Sequence, residues 1–257
     1  MKLSIIIPAY NEEARIRPTL DAYASYFGAR YGKDVEFVIV VNGSRDRTEE
    51  VVRAVAEKSP QVKFLVEPRA IGKGGAIMRG FEVAAGEWVG FVDADNATSP
   101  EAFNDLVEHI GDAGAIIASR YIPGAKVSPR QRLSRRIASR VFNKLIRLLF
   151  KLPISDTQCG AKLLRGDAMR AAFPHLGLTR WAFDVDLLFQ LRRLGYRITE
   201  VPTTWSEPGG SKLRIGRTSL EMFMAICRLR MLYSPLRWVV TVYDATLGRI
   251  IHLKEST

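Results

Sequence analysis

The sequence predicts an α/β fold, a mostly parallel sheet flanked by helices, followed by amphipathic helices toward the carboxyl terminus. Three observations carry this. Short apolar runs rich in β-branched residues recur through the first half, helical patterns separate them, and glycines, amides and carboxylates gather where the runs end. Strands buried on both faces of a parallel sheet read as unbroken apolar runs, and their alternation with helices marks βαβ units.

The first run is LSIII, Leu3 to Ile7, and a helix is expected from Glu12 to Phe27. VEFVIVV (Val35 to Val41) precedes a helical pattern from Asp46 to Lys58, and VKFLV (Val62 to Val66) precedes one from Gly74 to Ala85. WVGFV (Trp88 to Val92) leads to a helix over Pro100 to Gly111, and GAIIAS (Gly114 to Ser119) closes the series. Such sheets bind ligands in the loops beyond the carboxyl ends of their strands. PAYNEE, NGSRD, EPRAIGKGG and DADN occupy those loops.

After Ser119 a Gly- and Pro-containing link leads to RLSRRIASRVFNKLIRLLFKL, then to SDTQCGAKLLR, a helical WAFDVDLLFQLRRLG, a short strand YRITEVP, the loop SEPGGSKLRIG and a second basic amphipathic run. The expected division is one domain over 1–215, including an amphipathic helix from about 130 to 151, and a C-terminal amphipathic segment over 216–257.

Composition narrows the class. A chain of 257 residues with 47% hydrophobic content holds ample core, which excludes disorder as the main state. Lys and Arg outnumber Asp and Glu by 38 to 27, and nine of the basic residues fall between Lys126 and Lys151, a window without one acid. The excess is regional and marks a surface that meets something acidic. The two cysteines, Cys159 and Cys227, fit neither a disulfide framework nor a zinc site, so a reducing compartment is expected. The apolar run before Pro8 is too short for a secretion signal, and Arg237, Asp244 and Arg249 interrupt the most hydrophobic late segment, so no membrane span is read.

Asp93 and Asp95 flank Ala94 where an apolar run ends, so both carboxylates can leave the sheet on one side. Mg²⁺ or Mn²⁺ prefers such oxygen ligands and a nucleotide diphosphate supplies others, which makes the pair a metal–diphosphate anchor. The competing reading is two solvated carboxylates, with Asn96 as a helix cap. IGKGGA departs from the Walker pattern, with Glu67 and Gly74 at its defining positions, and from the dinucleotide fingerprint, with Ile77 where a glycine belongs. What remains is a glycine-rich helix entrance whose Lys73 can sit near a phosphate, or a plain tight turn. His109, His175 and His252 lack partners at metal spacing, and Trp181 and Phe183 read as packing residues.

SIIIPAYNEE, NGSRDRT, GKGGA, DADN, ASRY, DTQCGAKL, RWAFDVDLL and WSEPGGSKL occur in this order. Together, over about Lys2 to Tyr233, they resemble the family 2 glycosyltransferases of the GT-A fold. The last three most resemble the dolichyl-phosphate β-glucosyltransferases, and next the dolichyl-phosphate mannose synthases. The resemblance implies a nucleotide-sugar donor, a divalent metal and an inverting transfer. It puts Pro8, Ala9, Tyr10 and Glu12 along the nucleotide, Asn42 beside the base, and Asp93 and Asp95 on the metal. Where the family usually has two adjacent aspartates, Val41 and Asn42 stand. Asn both donates and accepts hydrogen bonds, so the identity of the base stays open.

On the acceptor side the resemblance implies that Arg120, Arg135 and Ser139 meet a phosphate, a task for which the planar guanidinium fork is suited. Lys212 and Arg214 lie in a glycine-containing loop able to close over the diphosphate. A phosphomonoester has a second pKa of about 6 and is largely ionised at neutrality, so it attacks without much help from a base. If a base is required the candidate is Asp184; the alternative is that Asp184 and Asp186 orient arginines.

Within the basic segment, Leu133, Ile137, Val141, Leu145 and Leu148 form one helical stripe, widened by Ile146 and Leu149 and flanked by cations. Leu220, Phe223, Met224, Cys227 and Met231 form a second. Apolar faces bordered by cations suit anionic headgroups, though both helices could instead cover the sheet. No nucleic-acid module accompanies the charge. The expectation is a peripheral enzyme on the cytoplasmic face of a membrane, moving a hexose from UDP-glucose, or secondarily GDP-mannose, to a polyprenyl phosphate. The alternatives are a saccharide, glycolipid or protein acceptor, or a noncatalytic module for anionic surfaces.

Overall fold

Nearly every residue of the first two strands is buried, and successive side chains alternate between two cores, as a sheet covered on both faces demands. Leu3, Ile5 and Ile7 enter one apolar core and Ile6 the other; Val35, Phe37, Ile39 and Val41 enter the first, Val38 and Val40 the second. Each such side chain contributes roughly 1.5–3 kcal/mol on burial, which pins the register. The computed structural model describes residues 1–129, 133–177, 182–206, 215–235, 237, 238 and 240; the side chains of residues 134, 135 and 215–220 are outside that description.

Strands β1 (Leu3–Ala9), β2 (Val35–Asn42), β3 (Val62–Glu67) and β4 (Trp88–Phe91) alternate with helices α1 (Ile16–Tyr31), α2 (Thr48–Ala56) and α3 (Gly72–Val83). Then come α4 (Pro100–His109), β5 (Ala115–Ser119), β6 (Lys126–Ser128), α5 (Leu133–Phe150), β7 (Lys162–Arg165), α6 (Gly166–Ala172) and α7 (Phe183–Arg193). β8 (Ile198–Pro202), β9 (Thr204–Ser206) and α8 (Ile215–Leu232) follow. The main sheet has seven strands in the order β3-β2-β1-β4-β7-β5-β8, and β6 pairs with β9 apart from it.

Every pairing in the main sheet is parallel except those of β7, which runs antiparallel between β4 and β5. That insertion matters for the site. Lys162, the first residue of β7, lies opposite both Phe91 and Ile117, so the DTQCG loop before it arrives at the carboxyl end of β4 and β5.

α1 begins at Ile16, four residues later than the apolar pattern suggests. The intervening backbone is used by a neighbouring loop: the amides of Asn11, Glu12 and Glu13 donate to Ser44 Oγ, Thr48 Oγ1 and Asp46 Oδ2. Asn11 returns the contact by accepting from the Arg45 amide. α4 starts where it should, because Pro100 follows Ser99, whose hydroxyl accepts from the Ala102 amide.

The stripe expected on α5 divides. Leu133, Ile137, Val141 and Leu148 are exposed, at 68%, 54%, 61% and 76%, whereas Ile146 is fully buried and Leu145 and Leu149 pack against the larger core. The expectation that Leu145, Ile146 and Leu149 share the outward stripe is therefore corrected. At 100° per residue the helix carries two apolar faces, and the core takes one of them. α8 behaves likewise: Ile226 and Leu229 are buried, Phe223 and Met224 exposed, and Cys227 and Met231 half-buried. No helix among the described residues is long and apolar enough to cross a membrane.

Candidate active site

The carboxyl edge of the sheet collects the charged side chains. Asp93, just beyond β4, accepts from Lys73 in the first turn of α3, Nζ to Oδ1 at 2.5 Å. Partial burial pushes the Asp93 carboxyl upward, but Lys73 outweighs it, helped by Lys162 and Arg120, and holds it below the ordinary carboxylate value. Lys73 responds reciprocally: desolvation would lower it, and Asp93 and Asp184 keep it above the ordinary ammonium value. Lys73 faces a carboxylate here, which adds a third possibility to the phosphate and the plain turn.

Asp95 is raised, first by burial and next by the charge of Asp93. Two hard oxygen donors that repel one another suit a divalent cation, which removes the repulsion. Among the described residues no group of three or more His, Cys, Asp or Glu forms a metal-holding cluster. The chemistry of the pair fits a metal shared with a diphosphate.

Gly160 approaches this pair so closely that an added Cβ would stand 1.9 Å from Asp93 Oδ2. Any side chain at position 160 would force the Asp93 carboxylate to move. Two residues on, Lys162 is buried, and its Nζ donates to Asp184 Oδ1 at 2.6 Å and to the Cys159 carbonyl at 2.7 Å. Its ammonium also stands 5.3 Å from the centre of the Phe91 ring. Asp184 thus pairs with a lysine rather than an arginine. Asp186 accepts from the Gly177 amide and the Tyr233 hydroxyl, which ties the end of α8 to α7. Phe183 is buried against Gly74, a packing residue as expected.

The loops after β1 and β2 form the neighbouring part of this edge. Glu12 accepts a bidentate pair from Arg15 at 2.6 and 2.7 Å, yet burial still raises it above the ordinary value. Tyr10 is exposed, while Pro8 and Ala9 complete β1. Asn42 Oδ1 accepts from the Ile71 amide at 2.7 Å, holding the entrance of α3. Its carbonyl oxygen is thereby engaged. Gly43, at φ +64°, sits where any Cβ would strike the Ala70 backbone at 2.4 Å, so this turn requires glycine.

At the other end of the DTQCG loop, Asp156 is fully buried and grips Arg120. Its Oδ2 accepts from Nε at 2.7 Å and from the Arg120 backbone amide at 3.1 Å, and its Oδ1 from Nη2 at 2.9 Å. The guanidinium carbon stands 5.5 Å from the rings of Tyr121 and Trp205. Tyr121 donates to Ser139 Oγ at 2.8 Å, which ties α5 to the residue that follows Arg120. The side chain of Arg135, and Lys212 and Arg214, lie outside the described residues.

Of five buried side-chain atoms without a partner among the described residues, three fall along this same edge: Asn96 Oδ1 after DAD, Ser119 Oγ at the end of β5, and Gln158 Nε2 in the DTQCG loop; Asn104 Oδ1 and Thr199 Oγ1 are the others. Polar atoms left bare in a protein interior ask for a ligand or water. Sequence reasoning assigned no role to Asp156, Gly160 or Lys162. Their only signal was membership in the quoted DTQCGAKL stretch, and a lone lysine reads as a surface cation until its carboxylate is located.

The pattern described as Glycosyl transferase family 2 matches residues 4–173. The chain belongs to that family. Glycosyl transferase family 2 membership makes it a glycosyltransferase, and the relatives agree. It is 35% identical over 250 residues to a dolichyl-phosphate beta-glucosyltransferase of Dictyostelium discoideum, covering 93% of this chain and 76% of the relative. The human protein of that name is 31% identical, with 92% and 77% covered. Among solved structures, a mannosyltransferase from Pyrobaculum calidifontis in complex with GDP-Man and Mn²⁺ superposes with TM-score 0.62 at 19% identity, covering 98% of this chain and 75% of that one. A glucosyl-3-phosphoglycerate synthase from Mycobacterium tuberculosis in complex with Mn²⁺, UDP and glucosyl-3-phosphoglycerate gives 0.63 at 18%, over 89% and 79%. These two establish the shared GT-A fold of the family.

Proposed function

We propose that the chain transfers glucose from UDP-glucose to a polyprenyl phosphate of the dolichyl type, at a membrane surface and with inversion at the anomeric carbon. The observation that carries this is the DTQCG loop, which touches Asp93 through Gly160 and Arg120 through Asp156. One short segment thus borders both a metal–diphosphate position and a phosphate-binding arginine, as a transferase joining two anionic substrates requires. The names of the relatives from Dictyostelium discoideum and Homo sapiens support the glucose and the lipid phosphate.

In this reading Asp93 and Asp95 would hold Mg²⁺ or Mn²⁺, which when bound neutralises charge on the departing nucleoside diphosphate. Pro8, Ala9, Tyr10, Glu12 and Asn42 line the nucleotide, and Lys73, Lys212 and Arg214 face the diphosphate. Arg120, Arg135 and Ser139 bind the acceptor phosphate and aim one oxygen at the anomeric carbon. That oxygen is already ionised, so no side chain needs to remove a proton. Asp184, neutralised by Lys162, then serves to hold the lysine, and acts as a base only with a hydroxyl acceptor.

The exposed face of α5 supports the location. Leu133, Ile137, Val141 and Leu148 are bare, Phe223, Met224 and Trp238 add exposed apolar surface, and Arg140, Lys144 and Lys151 are exposed among them. The test is a donor panel: UDP-glucose, GDP-mannose and other nucleotide sugars, each with citronellyl phosphate, the products resolved by mass. Turnover of UDP-glucose above the others is expected. Transfer to free sugars but not to the prenyl phosphate would overturn the acceptor assignment.

A further inference from the structure

Among the described residues Arg120 is held on one edge only. Of its five N–H donors, Nε and one on Nη2 are spent on Asp156, and among the described residues no hydrogen-bond partner faces Nη1. The remaining donors form an open fork, the arrangement that recognises phosphate oxygens in parallel. Where that fork stands is decided by Asp156, and what decides Asp156 is a frame of three residues from two elements, β8 and α5.

Glu200 of β8 accepts from two successive amides of the loop, Ser155 at 2.9 Å and Asp156 at 3.1 Å. Asn143 of α5 accepts from the Thr157 amide at 3.0 Å and its hydroxyl at 2.8 Å, while its Nδ2 donates to the Ser139 carbonyl at 3.0 Å. Arg147, one turn further along α5, donates to the Ile154 carbonyl at 2.9 Å. The loop is thus bolted to the helix that carries Ser139, and Asp156, Asn143 and Thr157 are all buried.

Resting on the acceptor role given to Arg120 above, we propose that Asp156 is a positioning residue that fixes the Arg120 fork toward the acceptor phosphate, and that Asn143 of α5 positions Asp156. The two acceptor ligands, Arg120 and Ser139, then move as one body with α5. A buried ion pair retained for stability alone is a weak explanation, since apolar residues of similar volume do as well. Stability also gives no reason for a fork held on one edge.

The test uses the full chain with UDP-glucose and citronellyl phosphate. Asp156→Glu keeps the charge but displaces the fork by one methylene; a misplacement of that size is expected to lower kcat/KM for the acceptor by about 100-fold, chiefly through KM. Asn143→Ala, which leaves the ion pair intact, should lower it by about tenfold. UDP-glucose affinity, measured by calorimetry without acceptor, should not change in either. Variants that melt earlier yet keep the wild-type acceptor KM would overturn the proposal and leave a purely structural pair. If Asp156→Glu does not fold, Asn143→Ala decides by the same criterion. Absence of turnover in the wild-type chain would instead overturn the prenyl-phosphate reading itself, and this inference with it.

Discussion

Two cation–carboxylate pairs stand at the same edge of the sheet and are built oppositely. Lys73 and Asp93 are 36% and 40% exposed and joined by a single contact, whereas Arg120 and Asp156 are 11% and 0% exposed and joined by a two-pronged fork. A lysine is a flexible point charge and an arginine a rigid planar one. The first pair can open when a stronger anion or cation arrives. The second cannot open without leaving a buried carboxylate bare, which costs about 3–5 kcal/mol. The difference suits a donor that arrives and leaves with its metal, and an acceptor phosphate that must be aimed.

The largest expected effect breaks the open side of that comparison. Asp95→Ala, or chelation of divalent metal, should lower glucosyl transfer more than about 100-fold, read as product formed per enzyme. Unaltered turnover after chelation would remove the metal from the reading. Next, exchanging cation types tests the contrast directly. Arg120→Lys should cost about tenfold to 100-fold in acceptor kcat/KM with UDP-glucose affinity retained, because an ammonium cannot hold Asp156 and a phosphate in one plane. Lys73→Arg should be milder, with a change in donor KM of a few fold at most, because a point charge asks less geometry of its replacement.

Smaller effects test what lies outside both pairs. Replacing Leu133, Ile137, Val141 and Leu148 together with Gln should weaken flotation with anionic vesicles by about tenfold or more, while turnover of the soluble citronellyl phosphate stays unchanged. The smallest sits at the far end of the sheet. Burial would raise buried Glu36, but hydrogen bonds from Lys63, Ser4 and the Ala85 amide outweigh it and lower it below its ordinary value. Its contribution is therefore full above the unfolded carboxylate range and is lost as pH falls through the folded value. Glu36→Gln should lower the melting temperature at pH 7 and shrink the difference between pH 7 and pH 3.

Much of the frame was legible from sequence. The apolar runs from Leu3 to Ser119 became β1 to β5 because unbroken β-branched stretches have few alternatives to a doubly covered sheet. β7 was not legible: KLLR is four residues long, and only its neighbours decide whether it pairs. Its antiparallel insertion carries DTQCG to the site, so the partners of Asp156 and Lys162 stayed hidden with it. The division of the α5 stripe was hidden for a related reason, since two apolar faces on one helix cannot be sorted until one of them meets the core.

By itself, then, the sequence determined the local chemistry: oxygen donors at DADN, a lysine at a glycine-rich helix entrance, cations flanking apolar stripes, and an order of motifs that marks the family. Those properties follow from residue type and short-range spacing, which no folding event alters. Only the tertiary structure decided who neutralises whom. Lys162 meets Asp184 across 22 residues and Arg120 meets Asp156 across 36. A Coulombic partner is chosen by distance in space, and burial, which sets the strength of the choice, exists only once the sheet has closed around it.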